Sequence, residues 1–251
     1  MSGHSKWSTI KRKKGAEDAK RGKLFTRLAR DIIVAARNGG GDPGTNATLR
    51  MAVDKAKAAN MPKDNIERAI KKGTGELAGG TMEEITYEGY APHGVAMLVQ
   101  CLTDNRNRAL SDIRRIFNRQ GGSLAEAGAV TWMFDTKGYI TIPHNDLDPD
   151  EVFMTAVDAG AEDIEIDAEM IEIYTPPDAL HTVSQALEAG GLRPDETELS
   201  QVPKNEIALG EKETLQIMNM IEALEELDDV QRVYSNLHIS DEALLALERV
   251  V

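Results

Sequence analysis

The spacing of hydrophobic residues in this sequence changes at Thr81, and the change limits the folds open to the chain. Before Thr81, apolar residues recur every three or four positions, which is typical of amphipathic helices. From Ile85 onward they alternate with polar residues or form short apolar runs, which is typical of strands. The chain therefore combines an all-helical start with a longer part that contains both strands and helices.

The helical start is predicted to hold three helices. The apolar face of the first helix ends at the glycines of 39–41, a common signal for a helix end. A second helix is predicted over 47–59. The turn Asn60-Met61-Pro62 follows it, and Pro62 suits the first turn of a third helix. Three short helices with small apolar faces predict a minimal bundle.

The longer part predicts two α+β domains. Residues 138–202 follow the order β-α-β-β-α-β, which is the ferredoxin-like arrangement. Residues 84–134 predict two strands, a helix and a further strand over 129–134, but they lack a closing helix and strand. Residues 211–236 predict such a pair. The simplest topology therefore inserts one α+β domain into the other.

These patterns predict an α+β protein in four parts. They are a basic all-α domain at 1–78, a discontinuous α+β domain at 79–135 and 204–239, an inserted ferredoxin-like α+β domain at 136–203, and a C-terminal helical extension at 240–251.

The net charge of −13 is the sum of a positive and a negative part of the chain. Residues 1–75 contain 18 Lys and Arg against 7 Asp and Glu, a net charge of +11. Residues 76–251 contain 11 Lys and Arg against 35 Asp and Glu, a net charge of −24. Such asymmetry predicts a polyanionic partner for the basic end.

The sequence favours a cytoplasmic location. Its start has no apolar segment of the kind found in secretory signals, and its acidic residues argue against a transit peptide. No apolar run approaches the length of a membrane span, so we expect no membrane contact. A single cysteine, Cys101, fits a reducing compartment.

The sequence shows no constellation of residues for catalysis or for a cofactor. The glycine pattern at 73–78 lacks the preceding strand that a dinucleotide-binding loop needs. The aspartates within 146–150 have calcium-loop spacing, but Glu151 and Val157 stand where such a loop needs Gly and Glu. The histidines and the one cysteine lack zinc spacing. We therefore predict a protein that is not an enzyme and uses no metal or cofactor.

The basic start carries the strongest functional signal. Lys and Arg recur along the first helix at spacings of three and four and form a stripe beside the apolar one. Like charges at this spacing repel each other unless a polyanion neutralises them, and aromatic rings in the preceding arm can stack on bases. The predicted nucleic-acid-binding residues are His4, Lys6, Trp7, Lys11, Arg12, Lys13, Lys14, Lys20, Arg21, Lys23, Arg27 and Arg30.

A second basic group lies at a predicted strand-to-helix junction, next to Asp104 and Asn105. Its members are Arg106, Arg108, Arg114 and Arg115, with Arg119 further along the predicted helix. Backbone N–H groups at the start of the helix add to their positive charge. Two interpretations stay open, namely nucleic-acid binding and ion pairing with acidic residues of the same domain.

Three segments resemble the YebC/PmpR family, which also contains the mitochondrial translational activator of cytochrome c oxidase subunit I. They are GHSKWSTIKRKKGAEDAKRGKLFTRLARDI, NMPKDNIERAIKKG and YEGYAPHGVAMLVQCLTDNRNR, within a resemblance that covers residues 1–238. The resemblance implies an all-α domain followed by two ferredoxin-like α+β domains, one inserted in the other. Its matching segments include Asn60, Met61, Pro62, Asp104 and Asn105 as candidate turn or partner-contact residues.

The resemblance also implies a function. Bacterial members are described as DNA-binding transcriptional regulators of the cytoplasm, and other members as translation factors that act at the ribosome, including on proline-rich stalls. We predict a non-enzymatic DNA-binding regulator, with a ribosome-associated translation factor that binds RNA as the alternative. No helix stands out from the sequence as a major-groove reader, which leaves room for RNA.

The acidic domains offer a surface for protein partners, and by hypothesis they keep the basic arm from binding every polyanion. A third possibility is an enzyme with an acidic cleft between the α+β domains, which would need a bound metal or cofactor.

Overall fold

A computed structural model of the chain describes residues 17–77, 82–144, 147–167 and 170–239. Within these ranges a group of helices is followed by two four-stranded antiparallel sheets, and the predicted α+β class is confirmed. The predicted arm before the first helix and the predicted helix at 240–251 lie outside the described residues. None of the described helices combines the length and the apolar character needed to cross a membrane.

The elements in chain order are α1 (Glu17–Gly39), α2 (Ala47–Ala58), α3 (Lys63–Gly73), β1 (Glu83–Tyr90), β2 (Ala96–Thr103), α4 (Arg106–Gln120), β3 (Ser123–Leu124), β4 (Phe134–Pro143), α5 (Pro149–Asp158), β5 (Asp163–Ile166), β6 (Met170–Thr175), α6 (Leu180–Ala189), β7 (Glu196–Pro203), β8 (Ile207–Ala208), α7 (Glu211–Glu225), β9 (Val230–Ser235) and β10 (Leu237–His238).

Helices α1 to α3 pack around a small apolar core, as their spacing predicts. Ile32 and Leu49 are fully buried in this core, and Leu102 of β2 joins it from the first sheet. Asn46 caps α2, because its side-chain oxygen accepts a hydrogen bond from the Leu49 N–H at 3.0 Å. The Asn46 amide also donates to the Ala35 carbonyl at 2.8 Å, which ties this cap to α1.

The first sheet has the strand order β3-β1-β2-β9. Helices α4 and α7 lie on one of its faces, where Phe117 and Ile217 pack against Val99 and Val233. The last strand, β9, pairs with β2 although the whole second sheet separates them in the chain. The predicted closing helix and strand from 211–236 are therefore present as α7 and β9.

The second sheet has the strand order β5-β6-β4-β7, which is the ferredoxin-like order for a β-α-β-β-α-β unit. Helices α5 and α6 cover one face, where Ile140 and Ile173 pack against Val152 and Leu187. The opposite face carries no helix of this unit. Because side chains alternate along a strand, Tyr139, Glu172 and Tyr174 point to that face, where all three are buried.

The strand predicted over 129–134 is wrong. Thr131–Met133 form a short 3-10 turn instead, and Phe134 is the first residue of β4. The carboxylate of Glu88 accepts hydrogen bonds from the backbone N–H groups of Gly128, Val130 and Thr131, so these groups cannot join a ladder. The two-residue strand β3, which lies earlier in the chain, pairs with β1. The predicted domain boundaries stay a prediction.

Candidate nucleic-acid interface

Helix α1 carries the predicted basic stripe. Lys20, Arg21 and Lys23 lie on this helix, but only Arg27 and Arg30 of the stripe have described side chains. Arg27 is half-buried, whereas Arg30 retains 14% of its side-chain exposure and faces inward. The predicted arm residues outside the described part are His4, Lys6, Trp7, Lys11, Arg12, Lys13 and Lys14.

Arg30 and Arg108 meet at one acidic side chain, Asp229. The Arg108 guanidinium binds both carboxylate oxygens, with Nε–Oδ2 at 3.0 Å and Nη2–Oδ1 at 2.9 Å. Arg30 Nη2 lies 3.6 Å from Oδ1 of the same carboxylate. Such bidentate pairs fix geometry as well as charge. These contacts join α1 and α4 to Asp229, the residue just before β9. Both arginines are therefore paired with a carboxylate of the protein itself.

A second ionic cluster lies where α1, α2 and the two sheets meet. Glu198 of β7 pairs with Arg232 of β9 and with Lys55 of α2, the latter at 3.2 Å. Burial acts to raise the pKa of Glu198, but the two cations hold it below its usual range. Asp31 of α1 lies beside this cluster, and burial raises its pKa despite the nearby Arg232. The cluster joins the helices to both sheets.

Helix α4 presents cations to solvent along its outer side. Ala109, Ile113 and Phe117 face the core. On the other side Arg106, Arg114, Arg115 and Arg119 are exposed, together with the uncharged polar residues Asn107, Ser111 and Asn118. Asn105 caps the helix by accepting from the Arg108 N–H at 3.1 Å. Arg115 pairs with Asp112 at 3.3 Å on a well-exposed surface, where such pairs are weak.

Exposed cations at the end of α3 lie near the start of α4. Arg68, Lys71 and Lys72 are exposed and form no ion pair with another described residue. The hydrogen bond from Arg108 holds the pKa of Asp104 below its usual range, and the Lys72 ammonium adds to this effect. Lys72 is therefore close to the Asp104–Arg108 pair. Exposed cations therefore lie at the end of α3 and along the outer side of α4, and Lys72 of α3 lies near the first turn of α4.

The structure gives the turn Asn60-Met61-Pro62 a packing role between α2 and α3. Asn60 has a left-handed backbone conformation with φ of 59°, which asparagine tolerates better than most residues. Met61 is buried in the helical core. The Pro62 carbonyl accepts from the Ile66 N–H at 3.2 Å and so starts α3. These residues set the direction of α3 and hence the place of its basic end.

Sequence reasoning missed the loop that holds Trp132. The side chain of Trp132 is 65% exposed, in a chain that contains two tryptophans. Three hydrogen bonds of 2.6–2.8 Å from Gly128, Val130 and Thr131 to Glu88 hold the loop. Lys204 also donates to the Trp132 carbonyl at 3.0 Å. A single exposed aromatic ring is common on protein surfaces, so the loop by itself assigns no binding site.

The described residues contain no group of three or more His, Cys, Asp or Glu side chains placed to hold a metal ion. The Cys101 thiol is buried, and burial raises its pKa to about 12, so it stays protonated at neutral pH. The buried Glu172 accepts hydrogen bonds from the hydroxyls of Tyr139 at 2.8 Å and Tyr174 at 2.9 Å. That arrangement stabilises a buried carboxylate.

Comparison with known proteins agrees with this geometry. Residues 5–76 match the family model described as the TACO1/YebC protein N-terminal domain. Residues 82–237 match the model described as the TACO1/YebC second and third domain. The chain is 54% identical over 248 residues to a probable transcriptional regulatory protein of Acidithiobacillus ferrooxidans, covering 99% of each chain. A protein of the same description from Dehalococcoides mccartyi is 54% identical over 244 residues, covering 97% of each chain.

A solved structure gives the same fold. The crystal structure of a conserved hypothetical protein from Aquifex aeolicus superposes with a TM-score of 0.84 at 45% sequence identity. The superposition covers 89% of this chain and 93% of the other. The helices and the two sheets are thus shared with a solved structure, and the predicted resemblance is confirmed: this chain belongs to the TACO1/YebC family.

Proposed function

We propose that this protein is a cytoplasmic transcriptional regulatory protein that binds DNA through its basic N-terminal part and performs no catalysis. Its relatives in Acidithiobacillus and Dehalococcoides are named probable transcriptional regulatory proteins, which supports the regulatory role. The observation that carries the nucleic-acid partner is the separation of charge, +11 over residues 1–75 and −24 over the rest. A polyphosphate is the usual partner of so concentrated a positive segment.

The positions of the described cations support this proposal. Arg68, Lys71 and Lys72 are exposed at the end of α3, and Arg114 and Arg119 are exposed on α4. None of these five forms an ion pair with another described residue, so each is free to bind a phosphate. Exposed cations without partners bind phosphates without first breaking an internal contact.

We assign different roles to the predicted site residues. The arm from His4 to Lys14 and the cations Lys20, Arg21, Lys23 and Arg27 would bind the phosphate backbone, as would Arg106, Arg114 and Arg115. Arg30 and Arg108 would position these elements through Asp229. Asn60, Met61 and Pro62 would position α3, and Asp104 and Asn105 the start of α4.

The test compares the full chain with a Lys11/Arg12/Lys13/Lys14→Ala variant on duplex DNA across a salt series. Six phosphate contacts give a slope of about −5 in log affinity against log salt. The alanine variant should bind more weakly and with a shallower slope. A Lys11/Lys13/Lys14→Arg variant is the matched control, because it keeps every charge and should retain the slope.

Both chains are also tested on purified ribosomes. A preference for particular DNA sequences that depends on the arm supports the proposal. Weak and indiscriminate DNA binding together with tight, arm-dependent ribosome binding would instead assign the same cations to a translation factor that binds RNA.

A further inference from the structure

Helix α5, which covers the second sheet, exposes apolar side chains to solvent. Phe153, Met154 and Val157 are exposed by 45%, 57% and 43%. Val157 stands one turn beyond both Phe153 and Met154, so the three side chains are neighbours on the outer side of the helix. We call these three residues the apolar patch. Val152 and Ala156, on the opposite side, are buried in the core of the unit, so the patch is additional to the residues that hold α5 on the sheet.

The neighbouring helix α6 shows that such exposure is not general in this unit. Both helices cover the same face of the second sheet. Apart from Ala189, the exposed residues of α6 are polar, namely His181, Thr182, Gln185 and Glu188. Single exposed apolar residues are normal on protein surfaces, whereas a contiguous apolar patch with a polar rim is typical of an interaction site. The outer side of α5 therefore has the character of a docking surface.

The rim of the apolar patch is acidic. Asp150, Glu151 and Asp158 lie on the same helix and are exposed. None of the three forms an ion pair with another described residue. The segment 138–192, which includes α5 and α6, contains 13 Asp and Glu and no Lys or Arg. The negative charge around the patch is thus not offset by any Lys or Arg of the same segment.

The sign of this charge distinguishes between possible partners. The acidic rim repels a nucleic acid or an anionic membrane. A symmetric dimer formed through α5 would bring two acidic rims together, and like charges across an interface disfavour it. A segment of another protein that has apolar side chains flanked by Lys or Arg would cover the patch and pair with the rim at the same time. Charge complementarity therefore favours a basic protein segment.

We propose that the apolar patch binds an amphipathic segment of a protein partner. The apolar side chains of that segment cover Phe153, Met154 and Val157, and its Lys or Arg side chains pair with the acidic rim. Burial of the patch supplies affinity, and the charges supply specificity. The inference goes beyond the proposed function and does not depend on it, because the nucleic acid is assigned to the basic part of the chain.

Fluorescence anisotropy of a labelled synthetic peptide tests the docking on the full chain. The probe is an amphipathic peptide with leucines along one helical side and lysines flanking them. Its counterpart has glutamate in place of every lysine. The chain should bind the lysine peptide but not the glutamate peptide, and added salt should weaken the binding. Equal affinity for the two peptides, or no binding of the lysine peptide, would overturn the proposal.

Phe153→Ser/Val157→Ser tests where the peptide binds. Both side chains are exposed, so the fold should be retained, and circular dichroism checks this. The affinity for the lysine peptide should fall about tenfold, because two half-exposed apolar side chains lose their contacts. Ile166→Ser/Leu199→Ser is the matched control, since it removes two exposed apolar side chains from strands β5 and β7 of the same unit and should keep the affinity. Equal losses in the two variants would overturn the proposal.

Asp150→Asn/Asp158→Asn tests the acidic rim. This variant should bind the lysine peptide several-fold more weakly and with less dependence on salt. Asp178→Asn/Glu188→Gln removes the same charge from α6 and the turn before it, and should change neither property. Equal effects in both charge variants would show that the peptide responds to net charge alone, and would overturn the proposal.

Sedimentation velocity tests a second copy of the chain as the occupant of the patch. A monomer, or a dimer that Phe153→Ser/Val157→Ser leaves intact, agrees with a different protein as the partner. A dimer that this variant abolishes would overturn the proposal, because the patch would then bind another copy.

Failure of the proposed function would look different from failure of the docking. In that case no form of the chain would bind duplex DNA, yet the lysine peptide would still bind, and Phe153→Ser/Val157→Ser would still weaken its binding.

Discussion

Arg108 of α4 donates two hydrogen bonds to Asp229, from Nε at 3.0 Å and from Nη2 at 2.9 Å to the two carboxylate oxygens. The residues are 121 positions apart in the chain. Arg30 of α1 adds a third contact to this buried carboxylate. One acidic side chain therefore fixes the helical part, α4 and β9 relative to each other.

Replacing Asp229 with Asn should destabilise this junction by about 2–3 kcal/mol, because the inward-facing Arg30 loses its counter-charge. Arg108 is half-exposed and should contribute the smaller share. Chemical denaturation monitored by circular dichroism measures the change. Asp112→Asn breaks the exposed pair with Arg115 instead and should shift stability by less than about 0.5 kcal/mol. Equal losses in both variants would contradict a special role for Asp229.

Glu88 should make the stability of the Trp132 loop depend on pH. Burial acts to raise its pKa, but the backbone N–H groups of Gly128, Val130 and Thr131 hold the pKa of Glu88 below its usual value. The unfolded chain has a pKa of about 4.3 at this position. Because the folded pKa is the lower one, the stabilisation is complete above the unfolded pKa and is lost as the pH falls through the folded pKa.

Glu88→Gln should therefore cost about 2 kcal/mol at pH 7, where the carboxylate accepts all its hydrogen bonds. The difference from the unaltered chain should shrink as the pH falls from about 5 to 3. Thermal unfolding at a series of pH values gives this profile, and Trp132 emission in a Trp7→Phe background reports on the loop. Glu83→Gln, an exposed change on the same strand, should show no such profile. A constant difference at all pH values would argue against the carboxylate.

Arg114 and Arg119 should contribute to nucleic-acid affinity through charge alone. Both are exposed on α4, so Arg114/Arg119→Ala should leave the fold intact. Each lost phosphate contact makes the salt slope on duplex DNA shallower by about 0.9. Fluorescence anisotropy across a salt series measures the slope. Arg193/Lys212→Ala removes two exposed cations from other parts of the chain and should leave the slope unchanged.

Gly73 should tolerate no side chain, because α3 touches α1 at this point. A Cβ atom there would lie 2.5 Å from the Ile33 carbonyl oxygen and 2.7 Å from the Ala36 Cβ, two atoms that cannot swing aside. Gly73→Ala should destabilise the helical part by about 1–3 kcal/mol. Gly22→Ala is the control, since no atom lies within 4 Å of a Cβ there and alanine favours helix. Its thermal unfolding midpoint should stay level or rise, whereas a lower midpoint in this control would count against the packing argument.

Local patterns predicted most of the fold. Apolar spacing and glycine stops located α1 to α3, and alternation located the hairpin β1–β2 and the ferredoxin-like unit. The prediction of a strand over 129–134 failed because of a tertiary contact. Glu88, about 40 residues earlier, accepts hydrogen bonds from the backbone N–H groups that strand pairing would need. A strand would place Trp132 on the same side as Val130 and Phe134, whereas in the 3-10 turn Trp132 is exposed and the other two residues are buried.

The candidate site was less accessible to sequence reasoning. Clusters of Lys and Arg predicted a polyanionic partner, but the sequence alone cannot show which cations pair with a carboxylate of the same chain. Arg114 and Arg108 look alike in the sequence, yet Arg114 faces water and Arg108 binds Asp229.

The pairing of β2 with β9 determines the order in which the two sheets can be completed during synthesis. During synthesis the helices, β1 and β2 leave the ribosome first, and the second sheet can close before β9 exists. Arg30 and Arg108 must then remain without the Asp229 carboxylate until Asp229 emerges, after all strands of the second sheet. The first sheet is thus begun before the second sheet and completed after it, so a chain truncated before Asp229 would lack both the edge strand β9 and the residue that joins α1 to α4.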